Sequence, residues 1–141
     1  MSVYSRASNL AAYQHAAAHG GVAASDPHGL VLMLMDGAIE RITTARGCMQ
    51  RGETAEKSRL LNRTVSIVGE LRSSLDMSAG GQIAANLSGL YEYMCNRLLK
   101  ATSENSVEML DEVSKLLHEI RSGWVGIPAA ARSARAGVAA L

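Results

Sequence analysis

Asp26-Pro27-His28-Gly29-Leu30-Val31-Leu32-Met33-Leu34-Met35-Asp36-Gly37-Ala38 is the stretch whose reading decides the fold. It reads as the start of a helix. Pro27 suits the first helical position, where its missing N–H costs nothing. Asp26 then falls at the N-cap, where its carboxylate can accept a backbone N–H and meets the positive end of the helix dipole. A residue before proline avoids the α region, which also fits an N-cap. From there an apolar row runs Val31, Met35, Ala38, Ile42, Ala45, Met49. Its steps alternate four and three, the seam of a helix packed on other helices. Leu30, Leu32, Met33, Leu34 and Ile39 lie outside that seam. This half of the helix is apolar over more of its circumference than one packed face requires. Another segment covers the excess, or it is a binding surface.

The rest of the chain repeats the pattern. A first long helix is expected over residues 27–51, with Gly52 as the residue past its cap. A second is expected over 54–78, with Leu61, Thr64, Val68, Leu71 and Leu75 as its seam, widened by Leu60 and Ile67. Ser78-Ala79-Gly80-Gly81 reads as a turn. A third helix, over 82–102, has the seam Ala84, Leu87, Tyr91, Met94, Leu98, Ala101, flanked by Ile83 and Leu90. The fourth opens at Asn105 as N-cap, with Glu108 three residues on, close to the capping-box pattern. Its seam is Leu110, Val113, Leu117, Ile120, Trp124, and Gly126 and Pro128 stop it. Four helices of similar length, each with one seam and joined by short loops, predict an all-α antiparallel four-helix bundle over residues 25–125. Residues 1–24 read as a cap segment, a short alanine-rich helix tied to the body by Gly20-Gly21, with Val3, Leu10 and Tyr13 near one face. Residues 126–141 read as an Ala/Arg tail, mobile or weakly helical, with no assigned role.

Composition narrows the function. With 14 basic and 13 acidic residues in 141, the net charge of +1 gives no nucleic-acid or anionic-membrane footprint. Cys48 and Cys95 match no zinc or redox spacing and read as small core residues, which suits a reducing cytoplasm. No apolar run is long enough to span a bilayer, and Asn9, Gln14, His15 and His19 interrupt what a signal peptide would need. A di-iron carboxylate bundle needs Glu-x-x-His, but Ala12, Ala16, Ser25 and Lys115 stand three residues before the four histidines. His15 and His19 share a face at i, i+4, but no nearby carboxylate or cysteine completes a zinc set. No metal, cofactor or catalytic residue is therefore expected, and His28 is expected to face solvent. Asp36 is either a solvated residue beside Glu40 or a polar anchor at the rim of an apolar groove. Tyr91 belongs to a seam. Tyr93 points away from it, as a binding aromatic does, and Leu99 is also off-seam.

The run Asp26-Pro27-x-x-Leu30-Val31-x-x-Leu34-Met35-Asp36-Gly37-Ala38 resembles the pattern Ser-Pro-x-x-Leu-Ile-x-x-Leu-Tyr-Asp-Gly-Ala of FliS, the flagellin-specific export chaperone family. Tyr13-Gln14, Glu70-Leu71, Leu75-Asp76, Gly80-Gly81, Asn86-Leu87 and Leu90-Tyr91-x-Tyr93-Met94 resemble further family features in order, as does the closing stretch from Glu112-Val113 to Trp124. Asp26 stands where the family has Ser, and both cap helices. Met35 stands where it has Tyr. The resemblance implies a non-enzymatic, cytoplasmic role. Such a chaperone binds the disordered C-terminal segment of flagellin, keeps it unpolymerised, and delivers it to the flagellar type III export apparatus, with export-gate components as further partners. Leu30, Leu32, Met33, Asp36, Ile39, Tyr93 and Leu99 are then the expected flagellin-binding residues, and Val3, Leu10 and Tyr13 the lid over them. The other reading of the residues is a helical adaptor that oligomerises through its spare apolar surface.

Overall fold

The computed structural model describes residues 26–127. Among these there are four helices and no strand: α1 (Pro27–Gln50), α2 (Thr54–Ser73), α3 (Met77–Glu104) and α4 (Val107–Val125). Each helix packs on its two neighbours in the cycle α1–α2–α3–α4, and α3 and α4 pack least extensively. Cross-helix bonds fix the antiparallel directions. Arg46 near the end of α1 meets Asp111 near the start of α4, and Lys57 at the start of α2 meets Thr102 and Asn105 at the end of α3. The expected all-α four-helix bundle is the observed fold.

The expected seams form the core, except that Met49, Leu87 and Ile120 are only partly buried against it. Val31, Met35, Ala38, Ile42 and Ala45 of α1 are buried against Leu60, Leu61, Ile67, Val68 and Leu71 of α2, Tyr91, Met94, Leu98 and Ala101 of α3, and Leu110, Val113 and Leu117 of α4. Burial pushes the Tyr91 hydroxyl up to about 12. Leu34, outside the seam in sequence, is also buried, so part of the apolar surplus of α1 is core. Cys48 is buried and Cys95 half-buried, both as free thiols.

Two helix junctions differ from expectation, and capping explains both. α2 stops at Ser73 rather than 78, because Asp76 acts as an N-cap: its carboxylate accepts from the Ala79 N–H at 3.0 Å. Met77–Gly80 thereby joins α3, and the helical path breaks only at Gly81 (φ 55°, ψ −131°), a conformation open to glycine. At the other end, Asn105 is not the N-cap of α4. It adopts the left-handed conformation (φ 52°) that Asn tolerates and closes α3. Ser106 is the N-cap instead, its hydroxyl accepting from the Met109 N–H at 3.2 Å. Lys57 is buried beneath this junction, and its ammonium donates to the Thr102 carbonyl (3.0 Å) and Asn105 Oδ1 (2.7 Å). A cation there satisfies a carbonyl in the last turn of α3 and meets the negative end of its dipole.

Candidate functional site

The expected N-cap is present: Asp26 Oδ1 accepts from the Gly29 N–H at 2.6 Å, with Pro27 in the first turn. His28 does not face solvent, against expectation. It is buried, its ring stacked on Trp124 with centroids 5.0 Å apart and planes 12° from parallel. His28 Nε2–H donates to the Trp124 carbonyl (2.7 Å), and the Trp124 indole N–H donates to the His28 carbonyl (3.0 Å). This reciprocal pair locks the start of α1 to the end of α4. The sequence hid it because the partners stand 96 residues apart.

Side chains four and seven positions apart share a helix flank, so named cross-helix bonds assign each flank to a neighbour. Leu32, Asp36 and Ile39 form one such row on α1. Asp36 is exposed and receives two bonds from Arg121 of α4, at 2.5 and 3.4 Å. The row therefore lines the α1/α4 flank. Asp36 is thus exposed and at the same time held in an interhelical ion pair, and its hydrogen bond raises the Arg121 pKa. Leu32 and Ile39 on either side of it are half-buried and pack partly on the core. Leu30 and Met33 are half-buried too, three apart and outside this row.

Tyr93 lies on a different flank. It is 41% exposed, and its hydroxyl donates to Glu112 of α4 at 2.5 Å. Arg97, one turn on, donates to the other oxygen of the same carboxylate at 2.8 Å, and its guanidinium carbon lies 5.8 Å from the Tyr93 ring centroid. The Tyr93 bond, aided by Arg97, holds the Glu112 carboxyl below its ordinary value and pushes the Tyr93 hydroxyl up. Leu99, 50% exposed, belongs to a third flank. It continues the row Ser88, Glu92, Cys95, in which Ser88 and Glu92 meet Arg72 of α2 and the Cys95 thiol donates to the Val65 carbonyl of α2.

The structure therefore brings Leu32, Asp36 and Ile39 together, and sets Tyr93 and Leu99 apart from them and from each other. Three strongly exposed apolar residues went unnoticed as surface groups: Met77 and Val125, each about half exposed, and Ile83, which was read as flanking a seam and is 58% exposed at the first turn past the Gly81 break. The signal for Ile83 in the sequence was its place beside a glycine pair, beyond the reach of the neighbouring seam. Val3, Leu10, Tyr13, His15 and His19 lie outside the described residues. Among the described residues, no cluster of His, Cys, Asp and Glu could hold a metal ion, and no helix is long and apolar enough to cross a membrane.

The described residues form a firmly packed bundle with apolar side chains raised on several flanks. The family described as Flagellar protein FliS matches residues 8–131, and the chain belongs to that family. A flagellar secretion chaperone FliSB of Pseudomonas aeruginosa is 45% identical over 115 residues, covering 82% of this chain and 91% of the relative. The flagellar secretion chaperone FliS of Vibrio cholerae is 40% identical over 120 residues (85% and 88% of the two chains), and that of Salmonella typhimurium 37% over 119 (84% and 88%). The family is one of chaperones, a non-enzymatic role in flagellar export.

Proposed function

We propose that the chain is a cytoplasmic export chaperone that binds the C-terminal segment of flagellin, prevents its premature polymerisation and delivers it to the flagellar type III export apparatus. One observation carries this reading: half-exposed apolar side chains stand on separate flanks of a single bundle, Leu32 and Ile39 on one, Tyr93 on a second and Leu99 on a third. A rigid globular partner engages one patch. A disordered segment can wrap several, folding as it binds at some cost in affinity per unit area. Leu30, Leu32, Met33, Ile39, Tyr93 and Leu99 are the proposed apolar contacts, with Asp36 as a polar contact that exchanges or shares Arg121. Family membership supports a flagellar client. Components of the export gate are the further partners proposed.

Val3, Leu10 and Tyr13, outside the described residues, are proposed to form a lid on the spare face of α1 that flagellin displaces. Light scattering separates the chaperone from the oligomeric adaptor. A monomer that becomes a one-to-one complex on adding flagellin supports the chaperone. A stable homodimer that ignores flagellin refutes it.

A further inference from the structure

Among the described residues, Met77, Ile83, Tyr93, Leu99 and Val125 are the large apolar side chains that stand exposed. Tyr93 is the aromatic one, and the one with a polar tip by which the bundle can hold it. That tip is held. The hydroxyl donates to Glu112 Oε2 of α4 at 2.5 Å, and Arg97, one turn on in α3, donates to Oε1 of the same carboxylate at 2.8 Å. The Arg97 guanidinium carbon also lies 5.8 Å from the ring centroid, within reach of a cation–π contact. Glu112 thus receives one donor on each oxygen, and both donors come from one flank of α3.

An exposed aromatic side chain on a helix divides between χ1 rotamers near 180° and −60°. A partner that grips the ring must select one of them, and ordering a side chain at an interface weakens binding. Here the selection is made in the free chain. The Glu112 bond ties the far end of the ring to another helix, and the guanidinium flanks the ring itself. Those two attachments hold one rotamer while leaving the residue 41% exposed. The cluster weighs little in folding, because ion pairs as open as Arg97–Glu112 contribute little to stability. The helices on either side are secured instead by the core, where Tyr91, Met94 and Leu98 of α3 and Leu110, Val113 and Leu117 of α4 are buried.

We propose that Glu112 and Arg97 are positioning residues, which fix the Tyr93 ring in one rotamer for the client without touching the client themselves. The proposal rests on the reading of Tyr93 as a flagellin contact. It is tested on the full chain by NMR and by calorimetric titration with flagellin, with circular dichroism to check that each variant is folded. In the unaltered chain the three-bond N–Cγ and C′–Cγ couplings of Tyr93 report a single χ1 rotamer, and in Glu112→Ala they average. Flagellin binding by Glu112→Ala weakens about two- to twelvefold, the equivalent of about 0.5–1.5 kcal/mol for one side chain left to be ordered. Glu112→Gln keeps an accepting oxygen and lies between the two. Tyr93→Phe breaks the same bond from its other end, so combining it with Glu112→Ala weakens binding by less than the product of the two effects. Averaged couplings in the unaltered chain overturn the proposal. So does an unchanged Kd for Glu112→Ala when the unaltered chain binds, which would leave the cluster a structural clasp. Fully multiplicative effects overturn it as well, since Glu112 would then touch flagellin directly. An unaltered chain that does not bind flagellin refutes the underlying reading, and the proposal with it, even where the couplings report one rotamer.

Discussion

His28→Ala tests the lock between α1 and α4. The substitution removes the hydrogen bond from Nε2–H to the Trp124 carbonyl and the stack of two rings whose centroids are 5.0 Å apart. A hydrogen bond contributes about 0.5–1.5 kcal/mol net, and a stacked ring pair about 0.5–1.5 kcal/mol beyond its buried area. The expected loss is therefore about 1–3 kcal/mol, with the upper part reached because the Trp124 carbonyl loses a buried donor. At about 4–8 °C per kcal/mol for a bundle of this size, Tm falls by about 5–20 °C. Trp124 is the only tryptophan in the chain, so its emission reports the same site directly and should move to the red as water enters. Thermal unfolding followed in parallel by circular dichroism and by this emission supplies both numbers. In a double-mutant cycle with Trp124→Phe, the two losses should couple by about 0.5–3 kcal/mol, because the residues share one contact. A loss under about 0.5 kcal/mol, the range of an ordinary surface change, with unchanged emission would refute the lock.

Leu71→Ala and Leu98→Ala should each cost about 2–5 kcal/mol in urea unfolding, since both are fully buried large side chains; losses under about half a kcal/mol would mean that the core is misplaced. Stability should fall on acidification. The Arg46 hydrogen bond to Asp111 and the Tyr93 hydrogen bond to Glu112 hold both carboxyls below their ordinary values of 3.8 and 4.5. The unfolded chain therefore binds these protons first. Their contribution is complete above the ordinary values and lost as pH falls through the lowered ones; the urea midpoint should drop across that window, and less steeply in Glu112→Gln. Deleting residues 1–12 should tighten flagellin binding several-fold in a titration, because a docked lid competes at high effective concentration; unchanged affinity would dismiss the lid, and weaker binding would make the segment part of the site.

Local signals carried most of the fold. Seam periodicity identified nearly the whole core, and Asp26-Pro27 marked the start of α1, because burial and capping act within one or two turns of chain. The junctions were harder, since neighbouring residues compete for one role. Asn105 and Ser106 both suit a cap, and only the left-handed backbone at Asn105 decides that Ser106 takes it. Asp76 likewise outweighs the glycine pair and starts α3 five residues early. Long-range pairs were invisible: nothing near His28 announces Trp124, and nothing near Lys57 announces the end of α3. The surface suffered the same limit. Off-seam position singled out Leu30, Leu32, Met33, Ile39, Tyr93 and Leu99 as candidates, but which flank each lines depends on which neighbour sits on each side. That became readable only from Asp36–Arg121, Tyr93–Glu112 and Arg72–Ser88.

Binding of flagellin through its C-terminal segment is tested most directly by a calorimetric titration of the chain with full-length flagellin and with flagellin lacking that segment, repeated with Leu99→Asp. Leu99 is half exposed, so this variant should keep its Tm within a few degrees. Full-length flagellin should bind one-to-one, flagellin without the C-terminal segment should not bind, and the Leu99→Asp chain should bind more weakly. Equal binding of intact and truncated flagellin, or none to either, would contradict binding through that segment.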